Sequence, residues 1–371
     1  MPRFLHWFRS ALRTNSTAGR RRPVRLRVEQ LEDRLVPSAT SAITTSHSSW
    51  IFYWQTHDLY GIDPATKQVV DFQTNSLFPG STRTALGGPS NVRAVSASMD
   101  PGTGYAEVFA ETWNFTLWRC DSHGTWTQLS DGAASSIYGD ISATRDGQVY
   151  AVNLHDQYVE LFHANGSVTD LGNPEGYLRT INGSGDGQGI AAGRDLYGGN
   201  EVFAIGQGGA LYVNSGDGLW AGKWVLIDGS RLYTCLSATR DGGVFAIQNG
   251  IALWHWTEQA SWWGLPFTYW SGQNISGGMG GPDSTFWDIS ADTDASGHAE
   301  VYARIMVGYN QFDLYRYDQG SWQKVDSNVS EVAGADGGYF FDVNPSGYDT
   351  GTWAFDPHKG SPWLYLGGAL E

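Results

Sequence analysis

An acidic turn followed by an aromatic strand is written six times along this chain, and that repetition limits the possible folds more than any other feature. The segments are MDPGTGYAEVFA, RDGQVYA, RDLYGGNEVFA, RDGGVFA, TDASGHAEVYA and ADGGYFF. Their anchors are Asp100, Asp146, Asp195, Asp241, Asp294 and Asp336, spaced by 46, 49, 46, 53 and 42 residues. Three carry a long turn ending in Glu-Val-aromatic-Ala, at Glu107, Glu201 and Glu300, and three carry a short Asp-Gly turn. Long and short turns alternate, so like units recur 95 or 99 residues apart. A fixed period of this length marks a repeat whose units stack on one another.

Each unit reads as four short strands. Val95-Ser96-Ala97, Ile141-Ser142-Ala143, Leu236-Ser237-Ala238 and Ile289-Ser290-Ala291 precede their anchors as first strands. The third strands carry Leu117-Trp118, Leu161-Phe162, Leu211-Tyr212, Leu253-Trp254 and Leu314-Tyr315, and several fourth strands open on Trp126, Trp224 or Trp322. Polar, Gly-containing turns between apolar runs make hairpins, and one such sheet cannot bury both aromatic faces by itself. A further unit precedes Asp100, in SSWIFYW and HDLYGID. The 323 residues from 49 to 371 divide into seven units of about 46. The expected fold is therefore all-β: a seven-bladed β-propeller of four-stranded antiparallel blades over residues 42–371, behind a disordered or helical leader over residues 1–41.

Charge separates those two parts. Residues 1–37 hold nine Arg and three acidic residues, while the rest of the chain carries 14 basic and 35 acidic groups. A body that acidic repels phosphate backbones, so nucleic acid is not an expected partner. No stretch of 18 apolar residues is present, so no membrane-spanning helix is expected. Cys120 and Cys235 sit at different places in the repeat and are not expected to pair. In the leader, RLRVEQLEDRLVPSA (Arg25–Ala39) resembles the N-terminal motif shared by many planctomycete exported or surface proteins. The resemblance implies a secreted, cell-surface or periplasmic location.

The runs EVFAETWNFTLWRCDSHGTWTQL and GVFAIQNGIALWHWTEQASWW resemble the tectonin-like propeller lectins. They are closer still to the seven-bladed bacterial lectins that bind fucose and O-methylated sugars in clefts between blades. The resemblance implies a non-catalytic carbohydrate-binding protein whose partners are glycans, fucosylated or O-methylated. A sugar offers an apolar C–H face to an aromatic ring and hydroxyls to planar, bidentate groups. The candidate ligand-binding residues are Trp118, Arg119, Arg145, Arg194, Tyr212, Arg240, Trp254, His255, Tyr315 and Arg316. The same aromatics serve equally well as packing between blades, and the arginines as partners of turn carboxylates.

Asp292, Asp294 and Ser296 resemble the start of an acidic calcium loop and are the candidate metal ligands, Ca2+ being the one cofactor considered. Asp and Gly are also what a tight turn requires. No nucleophile elbow, zinc-protease or phosphate-loop motif occurs, so no enzyme is expected. Two alternatives stand beside the lectin reading. One is a structural or protein-interaction propeller of the cell envelope. The other is a glycoside hydrolase-like enzyme with carboxylates about 5–10 Å apart at one end of the central channel.

Overall fold

The structure, a computed structural model, describes residues 43–367 apart from 51–53, 64, 76–81, 101–102, 104, 131–136, 145, 175–177, 179–188, 216–221, 240, 261–267, 278–284, 295, 309–310, 330, 336–338, 345–350 and 356–362. The leader at 1–41 and the anchor Asp336 lie outside the described residues. Every regular element among the described residues is a strand. The first sheet holds β1 (Ile43–Trp50), β2 (Trp54–Ile62), β3 (Val69–Asn75) and β4 (Thr82–Gly87), and the second β5 (Val92–Met99), β6 (Ala106–Thr112), β7 (Leu117–Cys120) and β8 (Trp126–Gln128). The third holds β9 (Tyr138–Ala143), β10 (Val149–Asn153), β11 (Tyr158–Phe162) and β12 (Val168–Asp170), and the fourth β13 (Ile190–Arg194), β14 (Asn200–Ile205), β15 (Leu211–Ser215) and β16 (Trp224–Asp228). The fifth holds β17 (Tyr233–Ala238), β18 (Gly243–Gln248), β19 (Ala252–Ala260) and β20 (Thr268–Asn274). The sixth holds β21 (Thr285–Thr293), β22 (Ala299–Gly308), β23 (Gln311–Asp318) and β24 (Ser321–Ser327), and the seventh β25 (Glu331–Ala335), β26 (Tyr339–Asn344), β27 (Gly351–Phe355) and β28 (Trp363–Gly367).

Each of these seven sheets is an antiparallel meander of four consecutive strands. Their first strands contact one another in turn, β1 to β5, β9, β13, β17, β21 and β25, and β25 returns to β1. That ring of innermost strands makes the fold a β-propeller. Among the described residues no strand is shared across the junction, and β25 packs against β1 there.

Strand alternation explains the interblade cores. In Glu107-Val108-Phe109-Ala110, Val108 and Ala110 pack toward the first sheet, while Phe109 packs toward the third. The pattern repeats around the ring, and six such cores lie among the described residues. Each fully buried aromatic of this kind contributes about 2–3 kcal/mol. At the rim, fourth-strand tryptophans reach the sheet before their own. The indole N–H of Trp126 donates to the Leu86 carbonyl at 3.0 Å, Trp224 to Leu171 at 2.9 Å and Trp322 to Ile275 at 2.7 Å. Gly88, at φ 85°, lies so close to the Trp126 ring that an added Cβ would stand 2.4 Å from it, so no side chain fits there.

Near the axis, the first strands are edge strands whose outward amides need partners. The Ser-Ala pairs supply them. Ala143 N donates to Ser96 Oγ, Ala192 N to Ser142 Oγ and Ala291 N to Ser237 Oγ, each at 2.9 Å. Ser142→Ala therefore strands a buried amide and should cost about 1–3 kcal/mol in chemical denaturation. Ser296→Ala, on an exposed turn, should stay within about 0.5 kcal/mol of the parent.

Candidate functional site

The structure places several cleft candidates in structural roles. Arg119 holds the buried Glu107 in an ion pair, with Arg119 Nε at 3.1 Å from Glu107 Oε2, and donates to the Ala164 carbonyl of the next sheet at 2.9 Å. Arg316 holds the buried Glu300 in the same way, at 2.8 Å and 2.6 Å. The indole N–H of Trp118 donates to Thr116 Oγ1 at 2.9 Å, and that of Trp254 to Gln248 Oε1 at 2.9 Å. Arg231 caps Trp254, its guanidinium 3.7 Å from the ring centre, while Trp256 donates to the Tyr233 hydroxyl at 3.0 Å. His255 stacks on Phe245 at 4.2 Å, and burial pushes its pKa down. Tyr212 is buried, Tyr315 packs against the core between the fifth and sixth sheets, and Arg194 is half-buried at the end of β13. Arg145 and Arg240 lie outside the described residues.

The acidic turns are built by their own carboxylates. Asp294 Oδ1 accepts the Ser296 and His298 amides at 2.7 Å and 2.8 Å, and those bonds hold its carboxyl below the usual range against the opposing effect of burial. Asp195 Oδ1 likewise accepts the Tyr197 and Gly199 amides, both at 2.8 Å. Asp292 is buried, and its Oδ1 accepts the Thr293 amide at 2.8 Å. Among the described residues no three His, Cys, Asp or Glu side chains gather as a metal would need. Cys120 and Cys235 are both buried.

A different constellation stands at one mouth of the ring, where the first strands begin. Four of them open on a β-bulge, where the pairing register skips Arg93, Asp140, Thr234 and Trp287. A bulge bends its strand and re-aims the extra side chain. Within each strand that residue is partly exposed between buried neighbours. The four bulged residues thus bring a cation, an acid, a hydroxyl and an indole to one end of the ring, Asp140 standing one residue later in its strand than the other three.

Two of the four have a built surround. Arg93 forms an ion pair with Glu111, which is 1% exposed, and its guanidinium lies 4.7 Å from the Phe115 ring and 5.9 Å from that of Trp113. Burial pushes the Glu111 carboxyl up to about 8; Arg93 opposes that shift and Asp140 adds to it. Trp113 itself is 54% exposed. On the sixth sheet the polarity is exchanged, with the acid on the first strand and the cation on the second. Asp288 Oδ2 stands 3.9 Å from Arg304, Arg304 lies 5.0 Å from the Phe312 ring, and Trp287 meets Phe312 at 5.4 Å. Asp140 is tied to the fourth sheet by the Gly189 amide at 3.2 Å.

Residue-level reading of the repeat passes over this site because a bulge is a one-residue slip in register. Its trace in the sequence is the irregular content of the residues just before each apolar-Ser-Ala, Arg93-Ala94, Gly139-Asp140, Thr234-Cys235 and Trp287-Asp288, between conserved-looking strand patterns.

No family model matches the chain, and no curated protein matches it. Solved structures that are similar to it include a streptogramin B lyase, at 11% identity and TM-score 0.48 over 84% of this chain and 93% of that one. The propeller domain of the trilobed protease from Pyrococcus furiosus, described as having an open velcro topology, is 9% identical with a TM-score of 0.45 over 91% and 97%. The WD40 propeller domain of Doa1 is 12% identical with a TM-score of 0.43 over 84% and 90%. The class of this protein, an all-β propeller of four-stranded antiparallel blades, rests on its own strand topology.

The Arg119–Glu107 pair gives a direct check on the structural role of a cleft residue. Arg119→Met leaves a buried carboxylate without its cation and should cost about 3–5 kcal/mol at neutral pH. Adding Glu107→Gln should recover most of that loss, as read by urea denaturation of the single and double variants.

Proposed function

We propose that this is an exported, non-catalytic carbohydrate-binding propeller that takes its ligand at the mouth where the first strands begin, not in the clefts between blades. The observation that carries the reading is the exposed Trp113 ring beside the Arg93–Glu111 pair, with Asp140 and the other bulge residues around the same opening. An exposed indole suits the apolar face of a sugar ring, and a guanidinium fixed between a carboxylate and two aromatic rings suits vicinal hydroxyls. Export is supported by the resemblance of Arg25–Ala39 to an export motif.

A second reading, a propeller that docks a protein, is favoured by exposed apolar residues at the same end. Leu232 lies on the connection into β17, while Ile251 and Val307 lie at the turns after β18 and in β22; Ile251 is 68% exposed. Exposed apolar side chains on one face suit contact with a protein partner.

Purified full-length protein on an array that includes fucosylated and O-methylated glycans should bind. Trp113→Ala should weaken that binding about tenfold, while Trp118→Ala should lower the thermal midpoint and leave affinity unchanged. A folded sample that binds no glycan would sink the carbohydrate reading. Loss of a protein partner on Ile251→Asp would support the second reading instead.

A further inference from the structure

All three long-turn sheets bury a glutamate at the same position, fully enclosed at Glu107, Glu201 and Glu300. Two of them supply a cation from the third strand. Arg119 stands opposite Phe109 and Arg316 opposite Tyr302, each diagonal to its glutamate. In the fourth sheet the residue opposite Phe203 is Val213, so the guanidinium is missing. Both Glu201 carboxyl oxygens are buried without a hydrogen-bond partner among the described residues.

The groups around Glu201 do not replace that cation. Across the interface stands Glu258 on β19, with Trp256 on the same strand face packed into this core, and Asp195 lies in the turn before β14. Both acids repel an ionised Glu201. Arg194 sits one residue off the Gly193 that pairs with Glu201, so its side chain leaves the opposite face of β13. His255 stacks on Phe245 toward the sixth sheet, on the other face of β19 from Trp256 and Glu258, and supplies no cation here. The same interface lacks a second element of the ring: Ala191 stands where Ser96, Ser142 and Ser237 stand in other first strands.

We propose that the contact between the fourth and fifth sheets is the pH-sensitive joint of the ring, closed while Glu201 carries a proton and loosened once it is ionised. Burial is the main cause holding its carboxyl well above the ordinary 4.5, with Glu258 and Asp195 adding to it. The unfolded chain releases this proton near the ordinary value, whereas the folded chain keeps it. The group's contribution to stability is therefore complete below pH 4.5 and shrinks as pH rises toward the folded-state value. Above that value the native ring holds an unpaired charge facing Glu258.

The test is the pH dependence of unfolding of the full chain, compared with Glu201→Gln and Val213→Arg. Glu201→Gln keeps a neutral side chain of the same size, and Val213→Arg restores the cation that the second and sixth sheets possess. In the parent, this one proton should lower the folding constant about tenfold per pH unit across the window above 4.5. Both variants should lose that increment while keeping the contributions of Glu111 and Glu300, whose burial also raises them. Amide exchange, corrected for intrinsic rates, should rise with pH in β14 and β18 of the parent and not in Val213→Arg. Unchanged slopes in both variants, or exchange rising equally in every sheet, would overturn the proposal. So would a calcium or potassium salt that stabilises the parent but not Glu201→Gln at fixed ionic strength, because a cation and not a proton would then close the joint.

Discussion

The hydrogen bond from one first-strand amide to the serine of the preceding sheet is the contact on which the ring depends. A sheet packed only through apolar faces could slide or rotate on its neighbour, since hydrophobic contact is non-directional. The Ser96–Ala143, Ser142–Ala192 and Ser237–Ala291 bonds fix both height and angle at the axis, where errors would accumulate over a closed circle. They also quench edge amides that would otherwise invite another strand. Closure between β1 and β25, with no strand shared among the described residues, makes this accuracy more important.

The alternation of long and short turns has a structural counterpart away from the turns. The second, fourth and sixth sheets carry the long turn, the buried glutamate and the rim tryptophan that reaches back to the preceding carbonyl. Short-turn sheets tie the threonine two residues before the anchor to that aspartate, Thr144 to Asp146 and Thr239 to Asp241. Neighbouring interfaces are thus of two kinds. A long-turn sheet faces the next sheet with a glutamate that needs a cation, which explains why arginine recurs at Arg119 and Arg316 on third strands.

That is also where reading the sequence succeeded and where it stopped. The anchors, the four strands of a unit and the Ser-Ala first strands are legible because turns need Asp and Gly and because apolar residues alternate with a period of two. Arg119 and Arg316 suit a sugar ligand and a carboxylate partner alike in sequence, because the two roles call for the same side chain next to the same aromatic. Only the diagonal to Glu107 and Glu300, a matter of register, separates them. The bulges at Arg93, Asp140, Thr234 and Trp287 are harder still, since a one-residue slip leaves composition and period untouched.

Repetition and specificity pull in opposite directions in such a ring. Positions that hold neighbouring sheets together repeat, because each interface must solve the same packing problem. A position freed from that problem can differ from sheet to sheet, and the bulge provides one by lifting its residue out of the interblade core. Arg93, Thr234 and Trp287, bulged at one position of the repeat, cannot all serve the same packing need. The fourth sheet departs from the repeat in another way, losing the serine at Ala191 and the arginine at Val213 together. Loss of two independent ties at one interface concentrates weakness there among the described interfaces.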